Sequence, residues 1–110
     1  MDKINLNKKY FVTIIQVSEP ELRRDLLHHI KQKSLCIKQV VIPGGLEIKL
    51  TDGSISSIRL ETVVLLMDEM GILRLREILD ELDLLEKEIT FSYDTCPEKL
   101  LEMLGLRGSH

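Results

Sequence analysis

From Tyr10 to Val17 apolar side chains occupy both phases of a two-residue alternation, with Tyr10, Val12 and Ile14 on one side and Phe11, Ile15 and Val17 on the other. The pattern predicts a central strand covered on both faces. The next residues, Ser18-Glu19-Pro20-Glu21, read as a helix start. Ser18 is placed to accept from early helical N–H groups, Pro20 suits the first turn, and Glu21 can reach back to the cap. Leu22, Leu26 and Ile30, joined by Leu27, form an apolar stripe that carries the helix to about Ser34 and leaves Arg23, Arg24, His28 and Lys31 on other faces.

Leu35 to Ile42 is rich in Val and Ile, Pro43-Gly44-Gly45 breaks the run, and Leu46 to Leu50 alternates strictly. This predicts a hairpin with one solvated face. Thr51-Asp52-Gly53-Ser54 is a second turn signal, because Asp-Gly tolerates the positive φ of tight hairpins, and Ile55 to Leu60 is a short third strand. Glu61 to Met70 places Val63, Leu66, Met67 and Met70 at helical spacing, with Gly71 where a left-handed C-cap belongs, so the reading is a helix broken or kinked there. Beyond it Ile72, Leu75, Leu79 and Leu82 keep a three-four spacing widened by Leu73, Ile78 and Leu85.

Ile89, Phe91 and Tyr93 alternate with polar residues and predict a strand with one wet face. Thr95-Cys96-Pro97-Glu98 then repeats the cap, Pro and Glu device ahead of Leu100, Leu101 and Leu104, a short last helix before Gly105. The order β-α-β-β-(β)-α-α-β-α gives an α+β fold, a single-domain antiparallel or mixed sheet with helices packed on it, and the nearest named architecture is the ferredoxin-like split β-α-β. The domain is expected to span residues 1–106, and the tail 107–110 reads as an expression-tag remnant.

Composition narrows the class. Twenty Leu, twelve Ile and six Val stand against two Phe, two Tyr, no Trp and no Ala, so the core is built from branched aliphatic side chains. With 30% charged residues, the 110-residue chain reads as one globular domain rather than a disordered or low-complexity segment. No apolar run reaches the ~18–20 residues needed to span a bilayer, and the polar opening lacks a signal-peptide core, so the expected compartment is the cytoplasm. Cys36 and Cys96 are too few for a disulfide scaffold.

Charge is unevenly distributed. Residues 1–40 hold eight Lys/Arg against four Asp/Glu, while residues 41–110 hold seven against fourteen, for the overall −3. The two parts attract each other within a molecule or between copies, and the acidic part repels nucleic acid. Arg23, Arg24, His28 and Lys31, extended by Lys33 and Lys38, form one basic region.

Cys96 is the one nucleophile worth weighing, because a thiol in the first turn of a helix is stabilised as thiolate by unpaired N–H groups and the helix dipole. Over these few residues, and at a shorter spacing, Thr95-Cys96-Pro97 resembles the Thr-x-x-Cys-Pro neighbourhood of peroxiredoxins. Asp94 and Glu98 oppose ionisation of the thiol. His28 and His29 are adjacent on a helix and point about 100° apart, so they form no chelate, and no metal or cofactor is expected. Pro43-Gly44-Gly45 lacks the Lys-Ser/Thr of a phosphate loop, and the acidic run Asp80 to Glu88 lacks calcium-loop spacing.

These features favour a small cytoplasmic protein-interaction or regulatory module, a homodimer or the binder of another protein, with Ile72, Leu75, Leu79 and Leu82 as the interaction stripe. The alternatives are a thiol-dependent enzyme at Cys96 and a nucleic-acid adaptor using the basic first helix. Neither membrane nor nucleic acid is an expected partner.

Overall fold

A strand that is apolar on both sides belongs in the middle of a sheet covered on both faces, and Tyr10 to Val17 lies there. In the computed structural model, which describes residues 8–42, 46–49, 52–58 and 61–106, the chain runs β1 (Tyr10–Gln16), α1 (Pro20–Gln32), β2 (Lys38–Ile42), β3 (Leu46–Lys49), β4 (Ile55–Ile58), β5 (Thr62–Asp68), α2 (Glu69–Glu81), β6 (Glu88–Ser92) and α3 (Glu98–Met103). Single 3-10 turns flank β6. The four-stranded sheet has the order β2-β5-β1-β6 with every neighbouring pair antiparallel. β1 pairs with β5 from Tyr10 opposite Asp68 to Gln16 opposite Thr62, and with β6 from Phe11 opposite Ser92 to Ile15 opposite Glu88. Each helical crossover, β1-α1-β2 and β5-α2-β6, therefore skips one strand, which makes two split β-α-β units.

The alternation in β1 divides the core between the two faces. Ile15 and Val17 join Val63, Leu65 and Met67 of β5 under α1 and α2, which contribute Leu26, Ile30, Ile72, Leu75 and Leu79. Tyr10, Val12 and Ile14 join Val64 and Leu66 under α3, which contributes Leu100, Leu101 and Leu104. The result is three layers, two helices on one face and a short one on the other.

The segment 61–70 is not the expected helix. Thr62 to Met67 is buried at every position as β5, and the helix starts only at Glu69, capped by Asp68, whose carboxylate accepts from the Gly71 N–H at 2.9 Å. The helical spacing there was an accident of a continuous apolar run, the pattern of a central strand, and the β-branched Val63-Val64 pair favours the strand. Gly71 consequently lies in the first turn of α2, where it neither kinks a helix nor separates two.

The middle of the chain also differs from the expected hairpin. β2 pairs with β5 rather than with β3, and β3 pairs with β4 around Asp52-Gly53 as a separate two-stranded ribbon. Gly53 has φ +89, and the Asp52 carboxylate accepts from the Ser54 N–H and hydroxyl, which holds its carboxyl below the ordinary range. The Pro43-Gly44-Gly45 turn lies outside the described residues, as does the tail 107–110.

The three helices of the described residues close in the same way. Ser34, Asp83 and Gly105 take left-handed φ of 50, 60 and 74. The following leucine N–H then bonds back across the turn: Leu35 to Ile30 O, Leu84 to Leu79 O and Leu106 to Leu101 O. These are Schellman closures. Two of them are built on Ser and Asp, so glycine is an incomplete guide to where these helices stop. At the other end of α1, Glu19 rather than Ser18 is the N-cap and makes no side-chain cap.

Candidate functional site

The closing turn of α1, the approach to β2 and the first turn of α2 meet at one end of the helical layer. Gly71 makes the meeting close, since a Cβ there would stand 2.6 Å from the Leu35 carbonyl oxygen. Beside this contact is a hollow of about 230 Å³ bordered by Lys33, Ser34, Cys36, Asp68, Met70 and Arg74. A wider, shallower hollow of about 660 Å³ adjoins it, sharing Ser34 and Cys36 and bordered further by Arg24, Leu27, His28 and Lys31. A third concavity of about 220 Å³ lies where α2 passes over Phe11 and Thr90.

Cationic side chains outnumber carboxylates along the paired hollows. Arg24, Lys31, Lys33 and Arg74 hold no ion pair among the described residues. The one carboxylate in the wall, Asp68, is engaged by the Gly71 N–H and by Lys8 Nζ at 3.8 Å. Cys36 Sγ donates to Gln39 Oε1 at 3.7 Å, and burial pushes its thiol pKa up, so the group at the centre of this site is a neutral thiol.

The basic region read from the sequence divides here. Arg23 turns away to pair with Glu61, whereas Arg24, His28 and Lys31 line the wider hollow. His28 and His29 meet edge to face with ring centroids 6.3 Å apart. Arg74, Ser34 and Cys36 complete the site and were missed as members of it. Arg74 is distant in sequence, and the left-handed turn that presents Ser34 has no glycine to announce it.

The proposed interaction stripe is internal. Ile72, Leu75 and Leu79 are buried against the sheet and Leu82 packs partly against the same cluster, leaving these side chains engaged within their own domain. The exposed apolar residues of α2 are instead Met70 and Leu73, 59% and 60% exposed. Cys96 also differs from expectation. It precedes the Pro97 N-cap in an extended conformation (φ −67, ψ 136), so it lies outside the first turn of α3 and the dipole argument for an activated thiol loses its geometry. Cys36 packs on the α1–α2 side of the sheet and Cys96 on the α3 side, so the two thiols lie on opposite faces.

Among the described residues no three His, Cys, Asp or Glu side chains gather to hold a metal ion, and no helix is long and apolar enough to cross a membrane. The sheet order and paired crossovers define a ferredoxin-like α+β domain. No protein-family model matches the chain, and no curated protein matches it in sequence. Solved structures do match in fold. The CutA1 divalent cation tolerance protein of Thermus thermophilus aligns with 86% of this chain and 94% of its own at 16% identity and a TM-score of 0.56. CutA1 of Oryza sativa aligns over 93% and 97% at 20% identity and 0.57. The CutA of Archaeoglobus fulgidus, described as a periplasmic divalent cation tolerance protein, aligns over 87% and 95% at 9% identity and 0.55. Identities this low establish a shared fold and nothing finer.

Proposed function

We propose that this chain is a small interaction or regulatory module that self-associates, and that it does so through strand edges rather than through the leucine stripe of α2. The reading rests on the β3–β4 ribbon. Its strands pair with each other and with no other described strand, and Ile55 next to its turn is 67% exposed. A two-stranded ribbon is marginal in water, and its outer backbone groups are ready to receive a further strand. The edge strands β2 and β6 likewise present half-exposed Val41 and Ile89. A basic first part and an acidic remainder supply attraction between copies. The divalent cation tolerance in the neighbours' names is not carried over, because no described cluster of ligands in this chain supports it. The reading keeps the module in the cytoplasm, where two thiols on opposite faces of a sheet stay reduced.

Light scattering on the intact chain tests it. The expected result is a discrete oligomer that Ile55→Asp and Ile89→Asp together convert to a monomer with an unchanged circular dichroism spectrum. A wild-type chain that remains monomeric at its highest soluble concentration would reject self-association.

A further inference from the structure

The paired hollows at the α1–β2–α2 junction have a chemistry of their own. Arg24 and Lys31 come from α1, Lys33 and Ser34 from its closing turn, Cys36 from the approach to β2, and Arg74 from α2. Four cations without ion pairs among the described residues thus border one concave region, and concavity focuses their field. Like charges gathered this way repel one another, and an anion relieves that repulsion. The two guanidinium groups present planar forks that match phosphate oxygens bidentately, while the lysines act as point charges and the Ser34 hydroxyl as a further donor. Leu27 in the wider hollow and Met70 in the deeper one offer an apolar wall for the rest of a ligand.

We infer that this double hollow binds a small ligand carrying two or more phosphate charges, with the Arg24 and Arg74 guanidinium groups gripping it from the two halves. Size and charge favour a small molecule over a nucleic acid. Further along α2 the exposed Glu77, Asp80 and Glu81 would repel a phosphate backbone running past the cleft. The site lies within one chain, so it does not depend on self-association.

The test uses the intact chain and its Ile55→Asp/Ile89→Asp double variant, with inorganic tripolyphosphate as the probe, read by calorimetry and by alkylation of the two cysteines. Cys36 borders both halves of the cleft, and Cys96 sits on the opposite face of the sheet as an internal reference. One tripolyphosphate should bind per chain in both proteins and slow alkylation of Cys36 but not of Cys96. Arg24→Ala and Arg74→Ala should each weaken binding about tenfold, the loss of one charge-assisted contact, whereas Lys99→Ala on α3 should leave it unchanged. Absence of binding overturns the proposal, as does equal binding of sulfate at matched ionic strength. Duplex DNA that protects Cys36 with the same arginine dependence replaces it with a nucleic-acid site. Binding to wild type but not to the double variant would show that the cleft needs a second copy and would reject the single-chain site.

Discussion

The Cα of Gly71 lies so close to the Leu35 carbonyl oxygen that a methyl group there would sit 2.6 Å from that oxygen and 2.9 Å from Met67 Cβ. The first turn of α2 is thereby pressed against the closing turn of α1, and this contact shapes the basic cleft. Alanine is the better helix former by about 1 kcal/mol, yet Met67 is fixed in β5 and the buried Leu35 by its closing bond to Ile30 O, so neither can retreat freely. Gly71→Ala should therefore destabilise the domain by a net ~1–3 kcal/mol, the usual cost of overpacking. Denaturant unfolding measures it. A variant as stable as wild type would mean that the junction is loosely packed.

The leucines of α2 separate into buried and exposed sets. Leu75 and Leu79 are wholly buried, and Leu73, on the same helix, is 60% exposed. Leu75→Ala should cost about 2–5 kcal/mol through lost burial and the cavity left behind. Leu73→Ala should change stability by no more than ~0.5 kcal/mol. Paired melts decide between them. Similar losses at both positions would indicate that Leu73 is covered in solution.

Helix closure offers a stabilising change. Ser34 and Asp83 hold left-handed φ values, a conformation that costs an L-residue roughly 1–2 kcal/mol, whereas Gly105 closes α3 without that penalty. Part of the gain from glycine is returned through the greater freedom of the unfolded chain. Asp83→Gly should stabilise the domain by about 0.5–1 kcal/mol, read as a shift in denaturant midpoint at constant slope. A destabilised Asp83→Gly variant would show that the aspartate contributes more than its backbone geometry.

How much of this was written in the chain depends on how local the cause is. β1, α1, the Asp52-Gly53 turn, β6 and α3 follow from alternation, apolar stripes and turn chemistry within a few residues, and the α+β order followed from them. The strand at 62–68 was lost because burial on both faces removes the alternation that marks a strand, leaving an apolar run that also fits a helix. The pairing of β2 with β5 is decided by contacts across about twenty-five residues, beyond any local signal. The cleft was half legible. Its α1 cations were visible as a basic helix face, but the turn at Ser34 and the approach of Arg74 depend on how the elements pack.

A hydroxyl chain ties β1 to β6 beneath α2. Thr13, fully buried, meets Thr90 Oγ1 at 2.9 Å, Thr90 donates to Glu88, and Arg76 Nη2 lies 3.5 Å from the same carboxylate. Because the Thr90 proton goes to Glu88, Thr13 is the donor to Thr90. Thr13→Val keeps the shape and removes only this bond, for an expected loss of about 1–2 kcal/mol. Stability within ~0.3 kcal/mol of wild type would show that water replaces the bond at no cost.

Cys36 gives the domain a pH dependence with a definite sign. Burial favours the neutral thiol, so its pKa in the folded chain lies above that in the unfolded chain. Its contribution to stability is fully present below the ordinary thiol range. As pH rises through that range the unfolded chain ionises first, so stability falls until the folded thiol ionises as well. Two measurements check this. Unfolding free energy should decline on the alkaline side, and Cys36→Ser should flatten that decline. The pH midpoint for alkylation of Cys36 should lie above that of a free thiol. A midpoint below it would mean that the cations of the cleft outweigh desolvation, making Cys36 a thiolate at the centre of the site.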